Sequence, residues 1–133
     1  MRAVIQRVSE ASVEINNQLV AEIDKGFLIL LGIGIDDNLE DVIWLSTKIS
    51  QLRIFSDADG KMNKSIIEVD GNAIVVSQFT LHAKTKKGNR PSYIKAAKAQ
   101  QAIPLYERFI ENLSNAIGKK IQSGEFGADM KVN

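Results

Sequence analysis

Ser77-Gln78-Phe79-Thr80 stands directly after the apolar run Ala73-Ile74-Val75-Val76. Two hydroxyls, an amide and an aromatic ring at the end of a buried strand are groups that could act on a carbonyl. Backbone N–H groups released where a strand stops can stabilise an oxyanion, and neutral polar side chains beside them can orient an acyl group. The plainer alternative is that Ser77 and Thr80 cap the strand while Phe79 enters the core. His82 is close enough in sequence to serve Thr80 as a general base, because residues 80 and 82 of an extended chain project to the same side. No acid lies between residues 71 and 106 to orient that imidazole. A partly exposed histidine without a catalytic task therefore competes with this reading.

The same acid-free stretch of thirty-six residues holds Lys84, Lys86, Lys87, Arg90, Lys95 and Lys98, a charge of +6. The remainder of the 133-residue chain carries eleven basic and sixteen acidic residues, so a net charge near zero hides a strong internal division. A field of one sign attracts a polyanion and speeds its encounter. A polar strand end followed by a basic loop thus suits a site working on a phosphate-bearing molecule, and it suits equally an ordinary basic surface loop.

Other chemistries are excluded by composition or spacing. The chain has no cysteine and one histidine, which rules out thiolate chemistry and a histidine-rich metal site; neither metal nor cofactor is expected. Gly32-Ile33-Gly34 imitates a dinucleotide loop, but Asp37 occupies the third glycine's place and a cluster of acids would repel a pyrophosphate. Asp57-Ala58-Asp59-Gly60 imitates a calcium loop, with its glycine at the wrong position and Lys61 where an oxygen ligand belongs.

The elements that must position these residues follow from periodicity. Strands are expected over 2–8, 11–15, 19–24 and the continuous apolar run Phe27–Ile33, the last covered on both faces. A helix capped from Asp36-Asp37-Asn38 should run to about Leu52. Arg53–Phe55 and Ile66–Val69 suggest short strands before the central one over 73–79. A second helix is expected from about Lys98 to Ile117, with Leu105, Phe109, Leu113 and Ile117 recurring every fourth residue, Gly118 ending it and Pro104 either kinking it or marking its first turn. Lys119–Gln122 and Phe126–Val132 read as final strands. The length supports one domain, and the order of elements argues for mixed α/β, helices packed on a sheet. No apolar run reaches the roughly twenty residues that cross a bilayer, and the start lacks a secretory apolar core; a cytoplasmic protein is expected.

Ser77-Gln78-Phe79-Thr80, followed by Lys87-Gly88-Asn89-Arg90-Pro91-Ser92, closely resembles the D-aminoacyl-tRNA deacylase family. So do Val4-Ile5-Gln6-Arg7-Val8 with Ala11-Ser12-Val13, Arg53-Ile54-Phe55-Ser56-Asp57 through Asn63, and Gly124-Glu125-Phe126-Gly127-Ala128-Asp129-Met130, all in the right order over nearly the whole chain. The resemblance implies an ester hydrolase that releases D-amino acids, and glycine, from tRNA as proofreading in translation. It implies a cytoplasmic homodimer of layered, β-barrel-like α/β/β fold with active sites at the subunit interface. Main-chain amides of Phe79 and Thr80 would form the oxyanion hole, Ser77 and Gln78 would line the pocket, and Phe126 and Met130 would hold the terminal adenosine. Arg7 would support substrate binding by holding a family Gly-Pro segment, which this chain, ending at Asn133 with only Pro91 and Pro104, is expected to lack. Lys84, Lys86, Lys87 and Arg90 would meet tRNA phosphates. Thr80 as nucleophile and an RNA-assisted route, in which the terminal ribose hydroxyl activates water, are the two mechanisms; the second is favoured because no base is evident near Thr80. The competing function is a non-catalytic tRNA- or RNA-binding module built on residues 84–98.

Overall fold

The computed structural model describes residues 1–133. In chain order the elements are β1 (Arg2–Val8), β2 (Ala11–Ile15), β3 (Gln18–Ile23), β4 (Gly26–Gly32), α1 (Leu39–Gln51), β5 (Phe55–Ser56), β6 (Met62–Lys64), β7 (Asn72–Ser77), a 3-10 turn (Phe79–His82), α2 (Ala99–Ile117), β8 (Gln122–Ser123) and β9 (Met130–Val132). A four-stranded sheet is ordered β1-β4-β7-β8, a three-stranded sheet β3-β2-β9, and β5 pairs with β6. β4 and β7 run parallel in the middle of the large sheet, with Leu31 opposite Ser77.

Both central strands are apolar through their interiors, Phe27–Leu31 and Ala73–Val76, because both their faces are covered. Phe27, Ile29, Leu31, Ala73 and Val75 face the helices, joining Val42 and Ile49 of α1 and Tyr106, Phe109 and Leu113 of α2 in one core. Ile74 and Val76 face the opposite way, meeting Ala11, Val13, Ala21 and Ile23 of the small sheet, with Leu28 and Leu30 packed beside them. The result is three layers, helices on sheet on sheet. No barrel closes, so the barrel-like element of the expectation gives way to two distinct sheets. No helix is long and apolar enough to cross a membrane.

α1 begins as its sequence indicates. Asn38 Oδ1 accepts from the Glu40 N–H and the Asn38 N–H donates to Asp41, both at 2.9 Å, a reciprocal cap on the first turn. α2 starts at Ala99 and ends at Gly118 in the left-handed region (φ 77°), and Pro104 lies inside it rather than at its start. Its buried residues are Ala102, Tyr106, Phe109, Leu113 and Ile117, so Tyr106 takes the place expected for the half-buried Leu105. Steps of four residues drift about 40° around a helix, whereas alternating steps of four and three hold one face.

The expected strands over Arg53–Phe55 and Lys119–Gln122 are seen only as Phe55–Ser56 and Gln122–Ser123, and three other short segments differ further. Ile66–Asp70 folds into turns instead of a strand, because Ser65 and Glu68 cap each other: the Ser65 N–H donates to Glu68 at 2.7 Å and the Glu68 N–H to the Ser65 hydroxyl at 3.3 Å. The bond from the Ser65 N–H, helped by the Ser65 hydroxyl, holds the Glu68 carboxyl below its usual range. The C-terminal strand spans only Met130–Val132, since Gly127 (φ 80°) turns the chain just before it. The central strand stops at Ser77, two residues early. The Gln78 N–H still reaches Leu31 O at 2.8 Å, but β8 offers its last bond at Val75, and β4 ends at Gly32. Without neighbours on either side, Phe79–His82 curls into the 3-10 turn.

Candidate active site

The early end of β7 leaves a cleft beside it, a space of about 270 Å³. Its floor is Leu30 and Val76; Ser77, Gln78 and Phe79 form one wall, and Phe126, Gly127, Ala128, Met130 and Val132 form the other. Residues almost fifty positions apart in sequence thus face one another across a single hollow. None of the ten lining residues is ionisable. Any polar chemistry in the cleft must come from main-chain groups, from the Ser77 hydroxyl and Gln78 amide, or from the bound molecule itself.

The 3-10 turn supplies main-chain donors. Its first internal bond runs from the Leu81 N–H to Gln78 O at 3.3 Å, closing over Phe79 and Thr80. The amides at the start of a helical turn are the ones with no intrahelical acceptor, and here they belong to Phe79 and Thr80. Thr80 itself does not line the cleft. Its hydroxyl oxygen accepts from the Gln78 side-chain amide, which is not a base and leaves the hydroxyl proton in place.

Glycines make room for this turn. A Cβ on Gly32 would lie 2.9 Å from Gln78 O and 2.9 Å from Leu81 Cβ, and one on Gly34 would lie 3.1 Å from the His82 ring. The Gly32-Ile33-Gly34 pattern therefore serves close packing, not a cofactor. His82 Nε2 lies 3.2 Å from Gly32 O, so the imidazole is engaged with the β4 backbone. Arg2 completes the clamp by donating to Leu81 O at 2.6 Å.

The opposite wall is held by a residue that sequence reasoning passed over. The Tyr106 hydroxyl donates to Val75 O at 2.9 Å, and its ring meets Phe126 edge-on at 5.8 Å between centroids. Burial raises its pKa to about 12, with the Ser123 hydroxyl drawing it slightly back. A Cβ on Gly124 would overlap Met130 Sδ, so that glycine leaves the space the thioether fills. The signal for Tyr106 was its place on the 102–106–109–113–117 face of α2.

Two expected groups lie outside the cleft. Arg7 donates to Ile54 O at 2.7 Å and lines a separate hollow with Lys25 and Phe55. It pairs with Phe27 on β4, whereas Ser77 pairs with Leu31, so four residues of strand, roughly 13 Å, separate the two positions. Lys84, Lys86, Lys87 and Arg90 stand exposed on a loop pinned at its base, where Lys84 and Ser92 exchange main-chain bonds of 2.8 and 2.9 Å. That base adjoins the cleft, since Phe79 meets Tyr93 edge-on at 5.1 Å. Nowhere do three or more His, Asp or Glu side chains gather so as to hold a metal ion.

Comparison with known proteins decides the family. The sequence pattern described as D-Tyr-tRNA(Tyr) deacylase matches residues 4–133, which includes both cleft walls. The chain belongs to the D-Tyr-tRNA(Tyr) deacylase family. It is 62% identical over 132 residues to a D-aminoacyl-tRNA deacylase of Bacteroides fragilis (strain YCH46), spanning 99% of this chain and 88% of that protein. A D-aminoacyl-tRNA deacylase of Flavobacterium johnsoniae is 61% identical over 133 residues, spanning 100% and 89%. Among solved structures, the c-Myc DNA Unwinding Element Binding Protein superposes with a TM-score of 0.94 at 37% identity, covering 100% of this chain and 90% of that one. A probable eukaryotic D-amino acid tRNA deacylase shares the fold at a TM-score of 0.82 and 16% identity, covering 98% and 91%. In this deacylase family member, the layered fold and the cleft at the end of β7 therefore occur together.

Proposed function

We propose that this chain hydrolyses the ester between a D-amino acid, or glycine, and the terminal ribose of tRNA, releasing both as a proofreading step in translation. The observation that carries this reading is a cleft with main-chain donors on one wall, an aromatic and a thioether on the other, and no ionisable side chain. The terminal adenosine sits between Phe126 and Met130, and the ester carbonyl points at the Phe79 and Thr80 amides. Ser77 and Gln78 orient the acyl group. As water attacks, negative charge develops on the carbonyl oxygen, and those preorganised amides stabilise it. The ester C–O bond then breaks, and the proton shed by water goes to the departing ribose oxygen. A neighbouring ribose hydroxyl activates the water, because the Thr80 oxygen is occupied by the Gln78 amide and no base adjoins it.

Lys84, Lys86, Lys87 and Arg90 hold tRNA phosphates near the cleft mouth. The working form is a cytoplasmic homodimer with its active sites at the interface. β1 favours this, being an unpaired edge of the large sheet with Val4 half exposed. Arg7 lies on that edge strand and away from its own cleft, so a substrate role for it calls for a second copy. Sedimentation at equilibrium reads the assembly directly.

The deciding experiment follows release of free D-tyrosine from D-tyrosyl-tRNA. Release well above the spontaneous rate is expected; tight binding of the charged tRNA without release would make the chain an RNA-binding module instead.

A further inference from the structure

Between the cleft and the basic loop lies an aromatic step that the hydrolytic machinery does not use. Tyr93 is exposed at 37%, its ring edge-on to Phe79 at 5.1 Å, and Phe79 itself is 53% exposed at the cleft wall. Tyr93 is not part of the cleft lining. It immediately follows Ser92, whose main chain is bonded to Lys84, and precedes Lys95, whose carbonyl accepts from the Ile35 N–H at 3.0 Å. The Ala97 N–H adds a bond to Ile33 O at 2.9 Å, and the Ala96 N–H one to Tyr93 O at 2.9 Å. The ring is thus carried on a segment fixed at both ends. Lys84, Lys86, Lys87, Arg90 and Lys95 surround it in sequence without one acid.

An exposed aromatic face on a rigid backbone among basic side chains is the composition that binds unpaired nucleotides: the ring stacks a base and the cations take the phosphates. Buried core tyrosines are anchored by their hydroxyls, as Tyr106 is, but Tyr93 presents an open ring. We infer that Tyr93 is a stacking platform for a nucleobase of the unpaired 3′ end of tRNA, one step outside the nucleoside held in the cleft. This rests on the proposal that tRNA is the substrate, yet the platform's task is separate from ester cleavage. It aligns the strand so that the terminal nucleoside reaches Phe126 and Met130.

The test is binding of uncharged tRNA, and of the same tRNA trimmed of its unpaired 3′ nucleotides, to wild type, Tyr93→Ala and Tyr93→Phe. Wild type should prefer the intact RNA; Tyr93→Ala should bind intact RNA about tenfold more weakly and trimmed RNA equally well, as expected when one stacked ring is removed. Tyr93→Phe keeps the ring and should bind like wild type. Equal weakening on both RNAs, or none on either, would overturn the platform. Thermal melts of the variants separate a folding defect from a binding one. Deacylation by wild type is scored independently. An inactive chain that keeps the Tyr93-dependent preference sinks the hydrolase reading alone, and an active one without that preference sinks the platform alone.

Discussion

The Val75 carbonyl accepts from the Tyr106 hydroxyl at 2.9 Å and from the Gly124 N–H at 3.1 Å, two residues before Ser77. One oxygen on the central strand therefore ties α2 and the segment leading to Phe126 to the strand that ends in the cleft. Tyr106→Phe removes one of the two bonds and leaves Val75 O satisfied by the other, so the cost should be about 1 kcal/mol. A melt should fall by roughly 3–5 °C.

The same residue should govern stability in alkali. Its folded pKa, raised to about 12, exceeds the ordinary tyrosine value of 10.0. The stabilisation from keeping the phenol neutral is complete below pH 10 and is lost as pH rises from 10 through 12. Across that window wild type should lose about 1.4 kcal/mol per pH unit more than Tyr106→Phe, which cannot ionise there. Denaturant titrations at pH 9, 10.5 and 11.5 compare them; parallel curves would mean that burial does not perturb this phenol.

Thr80→Ala should retain much of the deacylase activity, within about tenfold, because the main-chain donor survives the substitution. Nucleophilic catalysis by the hydroxyl would instead require near-complete loss and an aminoacyl-enzyme trapped on quenching wild type. His82→Gln should likewise stay active, since the imidazole is bound to Gly32 O.

Two glycine substitutions should separate the walls of the cleft. Gly32→Ala presses a methyl against Gln78 O and Leu81 Cβ, neither of which can swing away, so the turn carrying the proposed oxyanion donors must move and kcat should fall. Gly124→Ala displaces the end of Met130, a flexible side chain that can find another rotamer. Its effect should fall mainly on KM. The reverse pattern in steady-state kinetics would contradict the assignment of donors to one wall and nucleoside binding to the other.

Replacing Lys84, Lys86, Lys87 and Arg90 by alanine should weaken tRNA binding and flatten its dependence on salt, by roughly 0.7–0.9 in log–log slope for each phosphate no longer neutralised. Filter binding between about 50 and 200 mM salt, a range over which several phosphate pairings cost roughly tenfold or more in affinity, gives both quantities. Unchanged slope and affinity would make the loop a solvated surface.

Much of this protein was determined by sequence alone. Continuous apolar runs marked β4 and β7, because a strand covered on both faces has no polar side to alternate. Asn38 and Gly118 marked helix ends through chemistry local to one turn, and the acid-free segment marked the basic loop. Ser65-Ile66-Ile67-Glu68 also carried a local signal, a capping pair that outweighed the strand propensity of its isoleucines. What no local signal held was decided by tertiary structure. Ser77 ends its strand because β8 has already stopped opposite Val75 and β4 stops at Gly32, a fact about β4 and β8 rather than about residues 77–80. Phe126 and Met130 face Ser77–Phe79 because α2 carries the chain back to lay β8 parallel to β7. Arg7 falls outside the cleft because antiparallel pairing sets it beside Phe27 rather than Leu31. Register and strand neighbours depend on contacts between residues distant in sequence, and those exist only once the layers have packed.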